Sequence, residues 1–330
     1  MARPAVRTPA AVTAQPRFPG FAPSAGGYES FYLRAVDPDR PRGVWLRHTV
    51  HKAPGEPAVG STWVTLFDRE AGPPATAKVT LPAPAVPRGG WLRVGDSAFG
   101  PAGVRGPGWD LRFEGAAAAL RHLPRAWMYR APLPRTKLES PLPDARISGR
   151  VEAGGRALEL DGWPGMVGHN WGAQHAERWI WLHGVAFEDV PGAWLDVAIG
   201  RVRIAGRTTP WIANGEICAD GRRIRLGGIG AARRTRVRED PLGLDLELPG
   251  AGASLRLTAR SPRDQTVVWR YADPDGSEHH TANCSVACLD GVLERDGQPP
   301  LRLQCAHGGA YELGMRETGH GLPVQPFADP

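Results

Sequence analysis

Residues 161–189 read DGWPGMVGHNWGAQHAERWIWLHGVAFED, and this stretch holds four of the chain's 12 Trp and three of its 10 His. Within it, Arg178 to Phe187 alternates as a strand does. Trp179, Trp181, His183, Val185 and Phe187 fall on one face; Ile180, Leu182, Gly184, Ala186 and Glu188 fall on the other. Both faces are largely apolar, so the strand is expected to be buried on both sides. One face would line a barrel lumen and the other would pack on a neighbouring element; alternation alone does not say which.

The rest of the chain extends the pattern. Gly (42) and Pro (33) make up 75 of the 330 residues, about twice the usual share. Both residues interrupt helices, so a helical bundle is excluded and many short strands are expected. Strand patterns occur at 43–51, 61–67, 78–81, 90–94, 98–99, 109–113, 145–152, 156–160, 166–171, 193–204, 211–218, 242–248, 254–259, 266–271, 284–289 and 301–305. Turn signals lie between them, Asp220-Gly221 strongest. Ala116–Leu120 is the one short helix-favouring run. The fold class is all-β, a barrel or a sandwich. Residues 1–27, rich in Ala and Pro, read as a disordered leader. The Pro-rich stretch 132–143 (PLPRTKLESPLP) marks a domain junction, giving units at 28–140 and 141–330. Val44-Trp45-Leu46 parallels Ile180-Trp181-Leu182. Each is followed by a His (His48, His183) and a further Trp strand (Trp63, Trp194), the hint of an internal repeat.

Net charge is +6, and only Lys52, Lys78 and Lys137 among the 40 basic residues are lysines. In the basic stretch Arg222–Arg238, Arg234, Arg236 and Arg238 alternate as a solvated strand face would. No nucleic-acid module accompanies them, so no nucleic-acid partner is expected. There is no apolar run of about 18 residues, hence no membrane span, although peripheral contact with a membrane stays open. A cytoplasmic location is the expectation. Cys218, Cys284, Cys288 and Cys305 lack metal-knuckle spacing and read as buried free thiols.

Three readings compete for the Trp/His-rich middle. His169, His175 and His183 could ligate a metal, but spacings of six and eight give no short chelating pair, and no metal is expected. The rings could be structural core with their N–H groups satisfied. Or they could wall an aromatic cavity for an extended apolar ligand. Acid-assisted chemistry on an alkene would suit such a cavity: burial raises a carboxyl pKa, and Trp faces stabilise a carbocation. Candidate proton donors are His183, His169 and Asp196, with Glu188 and Asp68 more easily explained as strand-end and turn residues. Candidate ligand-binding residues are Asn170, Trp171, Trp179, Trp181, Trp45 and Trp63. Nucleotide loops, G-x-S-x-G and H-E-x-x-H are absent from the sequence. Cys284, beside His279 and His280, has nothing local to lower its pKa.

The segment Val167–Gly184, with Gly-His-Asn-Trp-Gly followed by Arg-Trp-Ile-Trp-Leu-His, resembles the lipocalin-like superfamily of tocopherol cyclases, carotenoid 1,2-hydratases (hydroxyneurosporene synthases) and AttH-type proteins. Val44-Trp45-Leu46-Arg47 with Ser61-Thr62-Trp63-Val64 is similar to the N-terminal barrel of AttH-type proteins. The resemblance implies two tandem lipocalin-like antiparallel β-barrels and a hydrophobic, isoprenoid- or polyketide-like ligand. It implies hydration, cyclisation or isomerisation without a cofactor, and it places Asn170, Trp171, Trp179 and Trp181 at or behind the pocket. A non-catalytic carrier of such a ligand is the rival.

Overall fold

A computed structural model describes residues 12–204 and 206–329. It is 61% strand and 4% helix, arranged as two antiparallel barrels. The first sheet uses β1 (Gly27–Val36), β2 (Arg42–Lys52), β3 (Val59–Asp68), β4 (Gly72–Pro82), β5 (Leu92–Val94), β6 (Ser97–Gly100), β7 (Gly103–Gly106), β8 (Trp109–Glu114), β9 (Leu120–Arg121), β10 (Thr136–Ala153) and β11 (Arg156–Gly172). The second uses β12 (Arg178–Gly184), β13 (Trp194–Arg201), β16 (Ile212–Ala219), β17 (Arg222–Gly227), β18 (Arg236–Asp240), β19 (Gly243–Gly250), β20 (Ala253–Arg260), β21 (Val267–Ala272), β22 (Glu278–Arg295) and β23 (Gln298–Met315). The short β14 (Arg203–Ile204) and β15 (Arg207–Thr208) form a ribbon of their own. The Asp220-Gly221 turn has φ of 51° and 71°, the left-handed pair a tight hairpin demands, and it joins β16 to β17 as expected.

The sheets divide the chain between Gly172 and Arg178, whereas the sequence reading put the junction at 140/141. The reason lies in the prolines at 141 and 143. They fall where the β10–β11 register shifts, so an 18-residue strand accommodates them as irregularities instead of ending. The expected leader is also corrected in part. Residues 1–11 lie outside the described chain, but the backbone N–H groups of Arg17 and Phe18 donate to the Glu29 carboxylate at 2.7–2.9 Å. Val12, Ala14 and Phe18 pack on the first barrel's core. Ala116–Leu120 forms no helix. Arg234, Arg236 and Arg238 are exposed, as a solvated face should be.

The two sheets share their connectivity. In each, the first strand lies between the second strand and the last: β1 between β2 and β11, β12 between β13 and β23. The repeat is therefore real in topology but offset from the sequence match. Trp45 sits on the second strand of its barrel and Trp181 on the first strand of its own.

The same equivalence recurs in packing. Tyr32 on β1 faces Gly168 on β11, and Trp179 on β12 faces Gly314 on β23. A Cβ at either glycine would stand 2.1 Å from the facing ring. Gly168→Ala and Gly314→Ala should therefore each cost about 1–3 kcal/mol in urea unfolding. An unhindered strand glycine would instead gain a few tenths to about 1 kcal/mol from the same change. Stabilisation by either substitution would show that the ring is not seated there.

Candidate functional site between the barrels

The barrels meet wall to wall, and strand parity decides which side chains meet. From the first barrel, Tyr28, Ser30, Tyr32 and Arg34 of β1 share a face with Trp45 and Arg47 of β2 and Trp63 of β3. From the second come Trp179, Trp181 and His183 of β12, Asp196 of β13, Glu312 of β23 and the row His279, Thr281, Asn283 and Ser285 of β22. Ile180 and Leu182 point the other way, into the second barrel's aliphatic core. Of the nine residues singled out from the sequence, Asn170, Trp45, Trp63, Trp179, Trp181, His183 and Asp196 line this seam. His169 and Trp171 turn into the lumen of the first barrel instead, on the opposite parity of β11.

At one end of the seam two charged groups cross from barrel to barrel. The fully buried Arg34 donates from Nη2 to the carbonyls of Ser285 (2.8 Å) and Gly308 (2.9 Å), and from Nη1 to His183 Nδ1 (3.0 Å). Burial and the Arg34 charge push the His183 imidazole down to about 3, so it is neutral and accepts that bond. Asp196 is fully buried too. Its carboxylate accepts from Ser140 Oγ (2.5 Å) and Trp181 Nε1 (3.1 Å), with His122 Nε2 3.6 Å away. Burial works to raise its pKa, but the charge and hydrogen bond of His122, the His183 ring and the Ser140 hydroxyl outweigh it and hold the carboxyl at about 2. Ser140, His122 and Asp196 do not make a nucleophile. Ser140 Oγ lies 3.3 Å from His122 Nε2, but it gives its one proton to Asp196, and His122 Nδ1 is bonded to the Asn214 carbonyl (3.0 Å), so the hydroxyl proton is committed to the carboxylate and not to the imidazole.

Towards the other end the seam turns aromatic around Glu312. Its carboxylate accepts from Trp179 Nε1 (3.0 Å), Asn283 Nδ2 (3.1 Å) and Tyr271 OH (3.4 Å). The Arg47 guanidinium lies 4.2 Å over the Tyr271 ring, and Trp63 meets Tyr271 and Trp269 edge to face. Among the described residues several polar atoms here find no partner, including Asn283 Oδ1, Thr281 Oγ1 and Trp269 Nε1; Asn170 Oδ1 on β11 has none either. Sequence reasoning missed Glu312. Its signal was a lone acid inside GGAYELGM, an otherwise apolar run that is buried along its whole length. The C-terminal segment straps this end. Val324 bridges to Val268, Phe327 stacks on Trp269, Gln325 Oε1 accepts from Thr76 Oγ1, and Asp329 pairs with Lys78 (2.8 Å).

His169 is held elsewhere, stacked between Phe31 (4.2 Å) and Trp171 (4.5 Å). Its ring nitrogens face Glu29 (2.7 Å) and Glu139 (3.0 Å). Burial opposes its charge, but the two carboxylates prevail and raise its pKa.

The expected roomy apolar hollow is not what these rings form. Trp45, Trp63, Trp181 and Trp269 are at most 5% exposed and pack on one another and on Tyr32 and Tyr271. Two concavities stand out among the described residues. One of about 200 Å³ is lined by Glu177, Arg178, Arg201, Thr208, Arg316 and Glu317. The other, of about 470 Å³, is lined by Gly108, Arg150 and residues 152–157. Neither is lined by a tryptophan.

The other sequence candidates separate cleanly. His169, His175 and His183 do not converge, each having different partners. Glu188 is exposed in a bend beyond the end of β12 at Gly184, not at a strand end, and Asp68 serves a turn, accepting from the Glu70 N–H and pairing with Arg42. All four cysteines are free; Cys284 and Cys305 are buried as expected, whereas Cys288 is exposed. Burial pushes the Cys284 thiol up to about 11, which disqualifies it as a nucleophile.

Comparison with known proteins places this architecture. The structure of CghA aligns with a TM-score of 0.64 at 12% identity, covering 96% of this chain and 94% of that one. CghA with Sch210972 aligns at 0.63, 13% identity and 89% and 90% coverage. The chain shares the paired-barrel fold of CghA. Kievitone hydratase from Nectria haematococca shares this paired-barrel fold more distantly, with a TM-score of 0.51, 13% identity and 91% and 90% coverage. Uncharacterised proteins of two Mycobacterium tuberculosis strains are each 29% identical to this paired-barrel chain over 315 residues, 92% of it and 90% of theirs. No family profile matches it.

Proposed function

We propose that the protein binds an extended hydrophobic molecule carrying hydroxyl or N–H groups between its barrels. We further propose that it promotes a hydration, cyclisation or isomerisation of that molecule, with Glu312 as general base. The observation that carries this reading is the composition of the seam. It is aromatic-walled and buried, yet it leaves Asn283 Oδ1 and Thr281 Oγ1 without partners among the described residues, beside a carboxylate held by three donors. Buried acceptors left unmatched cost about 1–3 kcal/mol each, and a guest's donors would recover that cost. The rings touch in this closed arrangement, so entry requires the strap of residues 320–329 to lift. Beyond one bridge at Val268–Val324 that strap belongs to neither sheet.

Proton donation by His183 or Asp196 has little support, the first being neutral and the second ionised at neutral pH. That same pair favours a second reading, a carrier without turnover. Organic extraction of the purified protein with mass spectrometry should yield a hydrophobic molecule at near-equimolar amount. Glu312→Gln should retain it while slowing its conversion about 100-fold or more. An unchanged conversion rate would remove Glu312 from the chemistry, and a single unaltered compound in both forms would establish the carrier. An empty extract, with no quenching of Trp fluorescence by added retinol, would end the binding proposal itself.

A further inference from the structure

His175 lies in the link between the barrels, Asp273 follows β21 and His279 stands on β22, and the three converge at the edge of the seam. His175 Nδ1 is 2.7 Å from Asp273 Oδ1, and His279 Nδ1 is 3.7 Å from Asp273 Oδ2. One ligating atom from each lies within 4.8 Å of the others. His279 is fully buried, yet among the described residues neither of its ring nitrogens has a hydrogen-bond partner, and His175 Nε2 has none either. A buried imidazole normally bonds through at least one nitrogen. Here His279 leaves both nitrogens unmatched beside His175 and an Asp273 carboxylate that already holds His175.

We infer that His175, Asp273 and His279 form a binding site for a single divalent first-row transition metal ion. Two imidazoles and one carboxylate are the donor set that holds zinc or iron(II) with positions left open. Bonds of about 2.0–2.1 Å bring tetrahedral donors to about 3.3 Å apart, so the widest gap closes by about 1.5 Å or less, while His175 Nδ1 and Asp273 Oδ1, now 2.7 Å apart, open by about 0.6 Å. The surroundings hold the ligands in place. The Asp273 Oδ1 atom also accepts the His175 backbone N–H (2.7 Å), and Ser277 Oγ donates to Oδ2 (3.3 Å). Tyr28 stacks on His175 at 4.0 Å, and Trp179 stands 5.1 Å from His175 and 4.9 Å from His279. A bound ion would therefore sit against Trp179, the ring that also reaches Glu312. The inference stands apart from the proposed guest: it needs only the three ligands.

The second histidine pair, His280 and His320, has ring nitrogens 2.8 Å apart, but no carboxylate joins them, and they serve as the control. The full-length protein, stripped with chelator, should bind Co²⁺ at one ion per chain with visible d–d bands. It should bind Zn²⁺ with a Kd of about 1 μM or tighter by calorimetry, and Co²⁺ should quench Trp fluorescence. X-ray absorption of the Zn²⁺-loaded wild type should show two imidazoles, a readout that needs no variant to fold. His175→Gln and Asp273→Asn, checked for native far-UV dichroism, should each weaken binding about 100-fold or more, and His320→Gln should leave it unchanged. Absence of stoichiometric binding, or binding lost only in His320→Gln, would overturn the site.

Discussion

Between pH 6.5 and 4.5 the protein should lose about 5 kcal/mol of stability, from two buried imidazoles alone. His48, bonded to Ser97 Oγ at 2.6 Å, and His183, bonded to Arg34, are both fully buried, and both are held down to about 3. The first is depressed by burial, the second by burial and the Arg34 charge. Their unfolded value is about 6.5. A histidine depressed in the folded state contributes fully above its unfolded pKa, and that contribution drains away as pH falls towards the folded one. His279, depressed to about 4, works in the same direction. His169 has the opposite sign: its pKa is raised, so its contribution is already complete below about 6.5 and is lost only as pH climbs through the raised value. Asp196, held at about 2, contributes above about 3.8 and is lost below this window. Since a whole domain is stable by roughly 5–15 kcal/mol, the fall should bring the protein close to unfolding. Guanidinium unfolding at pH 6.5, 5.5 and 4.5 measures it, and His183→Gln should remove about half of the slope. A flat profile would mean that both rings carry protons in the folded state.

Replacing Arg34 by methionine should cost about 3–5 kcal/mol. The methionine fills much of the volume, but the carbonyls of Ser285 and Gly308 and the Nδ1 of His183 lose their donor together, in a place water does not reach. Hydrogen bonds to a charged group contribute about 1.5–3 kcal/mol each, and the unmatched acceptors left behind add their own penalty. Arg34→Lys should recover little, because one ammonium cannot reproduce the planar fork that reaches three acceptors. Equilibrium unfolding at pH 7 decides it. A change under about 1 kcal/mol for Arg34→Met would show that the barrels do not depend on this crossing.

The strands that alternate cleanly were legible from sequence: 43–51, 61–67, 211–218 and 254–259 all lie where the pattern put them. The first strand was not. GYESFYLRAV carries Glu29, Ser30 and Arg34 among its aromatics, so it reads as half-polar, yet every residue in it is buried. Arg34 is matched across the barrel boundary, Glu29 by His169 and the Arg17 and Phe18 N–H groups, and Ser30 by Arg47, and pairing at such sequence distances leaves no local trace. The same cause explains the seam. Trp179, Trp181 and His183 were correctly placed on one face, but whether that face looked into a lumen or onto a neighbour depended on a partner strand more than a hundred residues away. Two parities on β11 then separated His169 and Trp171 from Asn170, although the three are consecutive or nearly so. Glu312 and the His175–Asp273–His279 group joined only through the register of β21, β22 and β23, whose long strands and shifted pairings no local window contains.

The crossing contacts constrain what could be made from this molecule. Arg34 of one half reaches its acceptors only in the other, and Asp196 of the second half is matched by Ser140 and His122 of the first. Cutting the gene at the 172–178 link, or exchanging one half for that of a distant relative by recombination, would therefore strand an ion on a bare wall. The halves share a topology, but they can be inherited only as a matched set.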